Sequence, residues 1–300
     1  MRIEDLRSFR VIVEQGNLRR AARLLGVTQS SLSKMLVRLE HDVQAPVLER
    51  TSTGVSLTDA GAIVLQHADK VHTALHDMDT ALRDHRGARS GSVRIGCLPM
   101  LMSLLISPVL ARFFVNRPLA TFSIEAQLSV RLLDQLARGQ IDLAVAAIPE
   151  RIPAGLSVTA LGKLRMQIVA RADHPRLHRL RSMAELGAER WAVPATMHYL
   201  RDWLDARFTD AGLPAPRLAV ESTASPVAFA ALLKASDLLG IMPVQVLDHS
   251  TGAGLVAVGG DDSHWEHAFG LFQRCEGYLS PLCQDFATAI ATHCQTNHFQ

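Results

Sequence analysis

Gln29, Ser30, Ser33, Lys34, Val37 and Arg38 recur at helical offsets on one face of the segment QSSLSKMLVRLEHDV, and Leu32, Met35, Leu36, Leu39 and Val43 occupy the other. The first face is small and polar, and basic near its start. These residue types suit the edges of DNA bases, because short side chains permit close approach in the major groove and a glutamine amide can pair bidentately with adenine. Thr28 stands where a helix cap is needed. Any surface helix of a small bundle can present such a face, so its neighbours matter. Upstream, Ile3, Leu6, Phe9 and Val13 recur at helical spacing, Gly16 stops that helix, and Asn17 caps the next, NLRRAARLLG. Downstream of Pro46, VLERTSTGVSLT reads as two short strands around a Ser-Thr-Gly turn. This is a wing, from which Arg50, Thr51 and Thr53 would reach phosphates while Lys34 and Arg38 flank the groove.

The run AARLLGVTQSSLSKMLVRLE, followed by PVLERTSTGVSLTDAG, resembles the signature of LysR-type transcription regulators in order and spacing, over about the first 65 positions. Ser30 stands where that family usually has proline, Ser31 where it has alanine, Gln44 where it has glycine, and Thr53 where a basic wing residue is common. The resemblance implies a winged helix-turn-helix that binds double-stranded promoter DNA. It also implies a homodimer that assembles into a tetramer, a small-molecule effector, and an encounter with RNA polymerase.

From Leu57 the positions Gly61, Val64, Ala68, Val71, Leu75, Met78 and Leu82 alternate in steps of four and three, with no proline before Pro99. A narrow stripe on an otherwise polar helix suits a coiled coil with a second copy, so Val64, Ala68, Val71, Leu75, Met78 and Leu82 are the expected dimer seam. Packing against the chain's own N-terminal module is the alternative. His67, His72 and His76 lie on this helix without an Asp, Glu or Cys to complete a ligand set, so no metal is expected. Small residues around RGARSGS should end it.

Beyond Ser92 strands alternate with helices, which predicts a mostly parallel sheet covered by helices. Near Leu161–Lys163 a second such unit begins, and EHAFGLFQR with the last helix returns to the first. The expected fold is therefore α/β with an all-α, winged N-terminal module: a winged helix-turn-helix (1–58), a long dimerisation helix (59–90), and a two-lobed effector domain (91–300). Lobe I covers about 91–161 and 267–300, and lobe II about 162–266. LLDQLARGQIDLAVA and DLLGIMP resemble the family's sensor domain, which is similar to periplasmic binding proteins. Ligands in such sheets sit at the carboxyl ends of strands, near helix N-termini. That places the effector site at Leu98, Pro99, Met100 and Ser103, and at Gln127 and Ser129, facing Thr196, His198, Ser222, Thr223 and Ser225. Pro99 and Met100 stand where the family often shows Ser or Thr, so an effector with an apolar or aromatic part is expected.

Charge separates the regions: residues 1–58 carry +3, 59–90 carry −1 and 91–300 are neutral, so a phosphate-binding surface belongs at the N-terminus. No GxSxG elbow, GxxxxGK[ST] phosphate loop or HExxH helix occurs, which argues against an enzyme and against a bound cofactor. Cys97, Cys275, Cys283 and Cys294 are spaced for neither a disulfide framework nor a zinc ribbon. LMSLLISPVLARFF meets Arg112 before reaching the roughly 18 apolar residues of a membrane span, and MRIEDLRSFR lacks an apolar signal core. A cytoplasmic protein with no membrane partner is expected.

Overall fold

Capping residues set the boundaries of the first helices in the computed structural model, which describes residues 1–51, 54–85, 91–194, 198–222, 225–247, 250–260 and 264–296. Helix α1 (Ile3–Gln15) ends at Gly16, whose φ of 60° is left-handed. Asn17 then accepts hydrogen bonds from the backbone N–H of Arg19 (2.8 Å) and Arg20 (3.2 Å), which starts α2 (Leu18–Leu25). Thr28 Oγ1 accepts from the N–H of Ser31 at 3.1 Å and starts α3 (Gln29–Val43). Helix α3 ends at Gln44, the one non-glycine residue with positive φ (58°) among those described. A glycine would meet no Cβ penalty there, which is the physical sense of the resemblance's glycine at this position.

Strands β1 (Leu48–Thr51) and β2 (Gly54–Leu57) pair antiparallel, from Leu48 opposite Leu57 to Thr51 opposite Gly54. Helix α4 (Asp59–His85) follows, capped by Thr58 Oγ1, which accepts from the N–H of Gly61 at 2.9 Å. Two apolar clusters hold these elements together. Leu6, Phe9, Leu39 and Val47 pack with Leu65 and Ala68 of α4, and Ile12, Ala21, Ala22 and Leu32 form the other.

The chain divides into two compact units, and α4 belongs with the head in the first, Met1–Arg89, which also takes in Asp134–Ile141 and Glu276–Ser280. Within this unit Arg10 Nε meets Asp69 Oδ1 at 2.6 Å, and both side chains are buried. Thr73 Oγ1 lies 2.9 Å from the carbonyl of Arg138, and the Tyr278 hydroxyl donates to Asp84 at 2.8 Å.

The second unit opens with β3 (Ser92–Cys97), then a continuous helical run: α5 (Pro99–Leu101), a π-turn at Met102–Ile106, and α6 (Ser107–Asn116). The run from Pro99 to Asn116 has 18 residues at mean hydropathy 1.5, so it passes through Arg112 and is long and apolar enough, by composition alone, to cross a membrane. Its apolarity is used inside the unit, where Leu101, Leu105 and Ile106 are fully buried.

Next come β4 (Thr121–Ala126), α7 (Ser129–Ala137), β5 (Leu143–Ala147) and the long β6 (Leu156–Arg171). Then follow α8 (Met183–Gly187), β7 (Arg190–Pro194), α9 (His198–Asp210), β8 (Arg217–Ser222) and α10 (Pro226–Lys234). The chain finishes with β9 (Gly240–Pro243), α11 (Val244–Leu247), β10 (Leu255–Ala257), β11 (His264–Arg274) and α12 (Pro281–Thr296). One sheet runs in the order β10-β6-β11-β5-β3-β4, with β9 also on β6, and β7 and β8 form a separate parallel pair. Strands β3, β4 and β5 are parallel, whereas β11 is antiparallel to both β5 and β6. The two longest strands, β6 and β11, are thus the crossovers, and their ladder shifts register between Phe269 and Gly270.

Candidate functional site

Two candidate sites emerge, one in each unit. In the first, α3 turns Leu32 and Leu39 fully inward. That orientation exposes Gln29, Ser30, Lys34 and Val37, with Ser33 half-buried beside them. Thr28 is committed to its capping bond, so its side chain positions the helix. The wing is fixed to the α1–α2 turn: Val55 N–H donates to the Gly16 carbonyl at 3.0 Å, and a Cβ on Gly54 would stand 2.2 Å from that oxygen. Thr51 is exposed at the end of β1. Thr53 and the Arg50 side chain lie outside the described residues.

Arg38 makes a contact within the protein that was not expected of it. Its guanidinium makes two hydrogen bonds to Asp5, whose side chain is fully buried, and this contact raises the Arg38 pKa. The pair ties α3 to α1, and the Arg38 side chain stays 40% exposed. Sequence reasoning missed the arginines of α2. Arg19, Arg20 and Arg23 are exposed and, among the described residues, form no ion pair. The signal was present in the run NLRRAARLLG, which was read only for its cap at Asn17.

The stripe on α4 divides. Ala68 is 2% exposed within its own unit and Val64 packs on the same cluster, whereas Val71, Met78 and Leu82 are 38–52% exposed, and Leu75 is half-buried. A depression of about 230 Å³ between α1 and α4 is lined by Ile3, Arg7, Val71 and Leu75, among others.

The second site is a cavity of about 360 Å³ inside the second unit. One wall comes from the carboxyl end of β3 and of β4: Pro99, Met100, Ala126, Gln127 and Leu128. The opposite wall comes from β6, β9, α10 and α11, with Met166, Phe229, Ile241, Met242 and Val246. Pro194, Ser225, Pro226 and Pro243 complete it.

Four of the eleven residues expected at an effector site line this cavity: Pro99, Met100, Gln127 and Ser225. Leu98 is buried behind it at 3% exposure, and Ser103 sits on the π-turn with its hydroxyl 3.4 Å from the Met100 carbonyl. Ser129 Oγ accepts from the N–H of Ala147 at 3.1 Å, which fixes the start of α7 against β5. Ser222 ends β8 outside the lining. Thr196, Thr223 and the His198 side chain lie outside the described residues. The wall built by β6, β9 and α11 was not foreseen, because nothing in the alternating pattern says which strand end will face which loop. Cys97, at the end of β3, is fully buried, and burial pushes its thiol up to about 11.

Two family models match the chain. Residues 3–62 match the bacterial regulatory helix-turn-helix protein of the lysR family, and residues 86–295 match the LysR substrate binding domain. The regulator GbpR of Azospirillum brasilense is 28% identical over 240 residues, covering 79% of this chain and 70% of its own. DgdR of Burkholderia cepacia is 38% identical over 151 residues, half of each chain. Among solved structures, full-length CbnR in complex with its target DNA superposes with TM-score 0.65 at 20% identity, over 97% of this chain and 99% of that one. ArgP of Mycobacterium tuberculosis superposes with TM-score 0.68 at 19% identity, over 97% and 96%. At these identities the structures establish the fold.

Proposed function

The chain belongs to the LysR family of DNA-binding transcription regulators, and from that premise we propose how its residues divide the work. The exposed face of α3 reads base edges. Gln29, Ser30 and Ser33 are its short polar contacts, Lys34 adds charge, and Arg50, Thr51 and Thr53 of the wing grip phosphates. Arg19, Arg20 and Arg23 of α2 add phosphate contacts, since three exposed cations on one short helix suit a polyanion. The observation that carries this reading is the division of α3 into a back on which Leu32 and Leu39 are fully buried and an exposed, mainly polar front.

Residues 1–58 act as the reading head, 59–90 as the dimerising helix, and 91–300 as the two-lobed sensor. Val71, Leu75, Met78 and Leu82 form the seam with a second copy, supported by the apolar side chains left open there. A two-fold pair of heads then reads a two-fold related site. Two dimers assemble into a tetramer, and the bound protein acts on RNA polymerase at the promoter, as is usual in the family. Its working compartment is the cytoplasm, where promoter DNA is. The small-molecule effector occupies the cavity between Met100 and Phe229, whose side chains suit a ligand with an apolar part.

Mapping the bound DNA sites genome-wide, followed by titration of one recovered site and a scrambled duplex, tests the reading. Recovery of a shared two-fold related sequence is the expected result. Equal affinity for both duplexes would refute base reading by α3.

A further inference from the structure

Helix α3 carries six apolar side chains, and five of them are accounted for inside the head: Leu32 and Met35 in one cluster, Leu36, Leu39 and Val43 in the other. Val37 belongs to neither cluster and is 65% exposed. A single apolar side chain in water is ordinary on a protein surface. Its place on this helix is what gives it meaning. At about 100° per residue, Val37 falls between Ser33 and Ser30 around the helix, in the middle of the front, with Gln29 toward one edge and Lys34 toward the other. Ser30 and Ser33 are short, so this part of α3 can approach a groove floor closely. A β-branched residue lowers helix propensity, so outside both clusters Val37 does nothing for α3 itself. The major-groove edges of the bases display hydrogen-bond donors and acceptors, with one apolar group among them, the C5-methyl of thymine. A valine set against those donors and acceptors would take their water and give nothing back. Against the methyl it buries apolar surface on both sides.

We propose that Val37 is a specificity-determining residue of the reading helix, and that its methyl groups pack on the C5-methyl of a thymine in each half-site. This rests on the reading of α3 as the helix that meets base edges, and it adds an apolar contact to the polar ones of Gln29, Ser30 and Ser33. The contact separates thymine from the other bases at a position where neither charge nor hydrogen bonding takes part.

Uracil differs from thymine only by that methyl, so replacing thymines one at a time in a recovered cognate duplex tests the inference on the full chain. For the unaltered protein, one such replacement in each half-site should weaken binding by about fourfold, the worth of one buried methyl group. With Val37→Ala the parent duplex should bind more weakly, and that same replacement should cost less than about 1.5-fold, because its partner methyls are gone. Val37 is exposed, so the melting temperature of the variant should not change. The uracil series on the unaltered protein needs no variant at all. If no uracil weakens its binding by about twofold, or if the strongest penalty is the same in Val37→Ala, Val37 does not read a thymine. Continued preference for the cognate duplex over a scrambled one then leaves base reading by α3 standing. Equal affinity of the unaltered protein for those two duplexes refutes base reading itself, and the Val37 contact with it.

Discussion

The face of α3 and the cavity of the second unit are built on opposite principles. The face is convex, contiguous in sequence from Thr28 to Val37, polar, and left in water. The cavity is concave and apolar, and it is assembled from segments as distant as Pro99 and Val246. Duplex DNA is a large polyanion that a surface can meet without enclosing it, so one helix with the right front suffices. A small molecule gives up enough water only when surrounded, and no single element surrounds anything. The two sites should therefore fail separately under substitution.

The largest effect expected is from Gly61→Val, which should remove one site and spare the other. A Cβ at Gly61 would stand 2.0 Å from the Val47 carbonyl oxygen, a backbone atom that cannot swing away. Destabilisation of the head by upward of about 3 kcal/mol should follow, as for severe overpacking. Chemical denaturation measures the loss, and if the second unit unfolds with the head, the sites are not separable.

Smaller losses should divide the DNA face internally. Gln29→Ala should cost about 1–3 kcal/mol on a cognate site and much less on scrambled DNA, because a bidentate base contact discriminates. Arg50→Ala should weaken both duplexes and make the log–log salt dependence shallower by about one unit, since one fewer counterion is released. Anisotropy titrations at several salt concentrations measure both. A uniform loss from Gln29→Ala would mean that another face does the reading.

Leu75→Lys bears on the seam: it should loosen the dimer by roughly tenfold, about 1.4 kcal/mol. Sedimentation would register the change, cognate affinity should fall with it, and the unfolding of the second unit should be unchanged. A variant that remains fully dimeric would show that α4 is not the interface.

The smallest effect concerns the thiols. Cys97, Cys283 and Cys294 are buried and Cys275 is exposed, so a disulfide reagent at pH 8 should label Cys275 fast and the others only on unfolding. Burial pushes Cys97 up to about 11 and Cys294 up to about 12, from an ordinary value of 9.0. The fold favours the protonated thiols. Their contribution to stability is full below pH 9 and lost as pH rises through the window up to about 11–12. Denaturation midpoints should fall over that range, and Cys97→Ala with Cys294→Ala should flatten the fall.

The legibility of the two sites follows the same contrast. Thr28 and Asn17 cap the helices that their types and positions foretold, and Gly16 and Gly26 end helices in left-handed conformation. The Arg38–Asp5 pair was not legible, because Asp5 lies 33 positions away and helical offsets cannot register a contact at that range. The α4 stripe was legible as a stripe. Its division was not, since Ala68 is buried only because α1 and α3 bring Leu6, Phe9 and Leu39 against it. In the second unit the alternation of strands and helices was legible, but the sheet is not mostly parallel as expected: β3, β4 and β5 are parallel, whereas β6 pairs antiparallel with β9, β10 and β11, and β11 with β5, because the crossovers run against the other strands. The short β9 and β10 also escaped notice. Three or four residues carry too little periodicity to separate a strand from a loop.

By itself the sequence determined where helices start and stop, which face of α3 is polar, that the basic charge lies at the N-terminus, and the family's motif. All of these are short-range properties, set by neighbours within a turn or two of the chain. Tertiary structure alone decided which cations pair within the protein, how much of the α4 stripe is left open, and which residues close the cavity. Met166 and Met242 line one cavity with Met100 because β6 crosses back through the sheet and carries β9 with it. That is a long-range consequence of sheet order, and no local pattern of side chains encodes it.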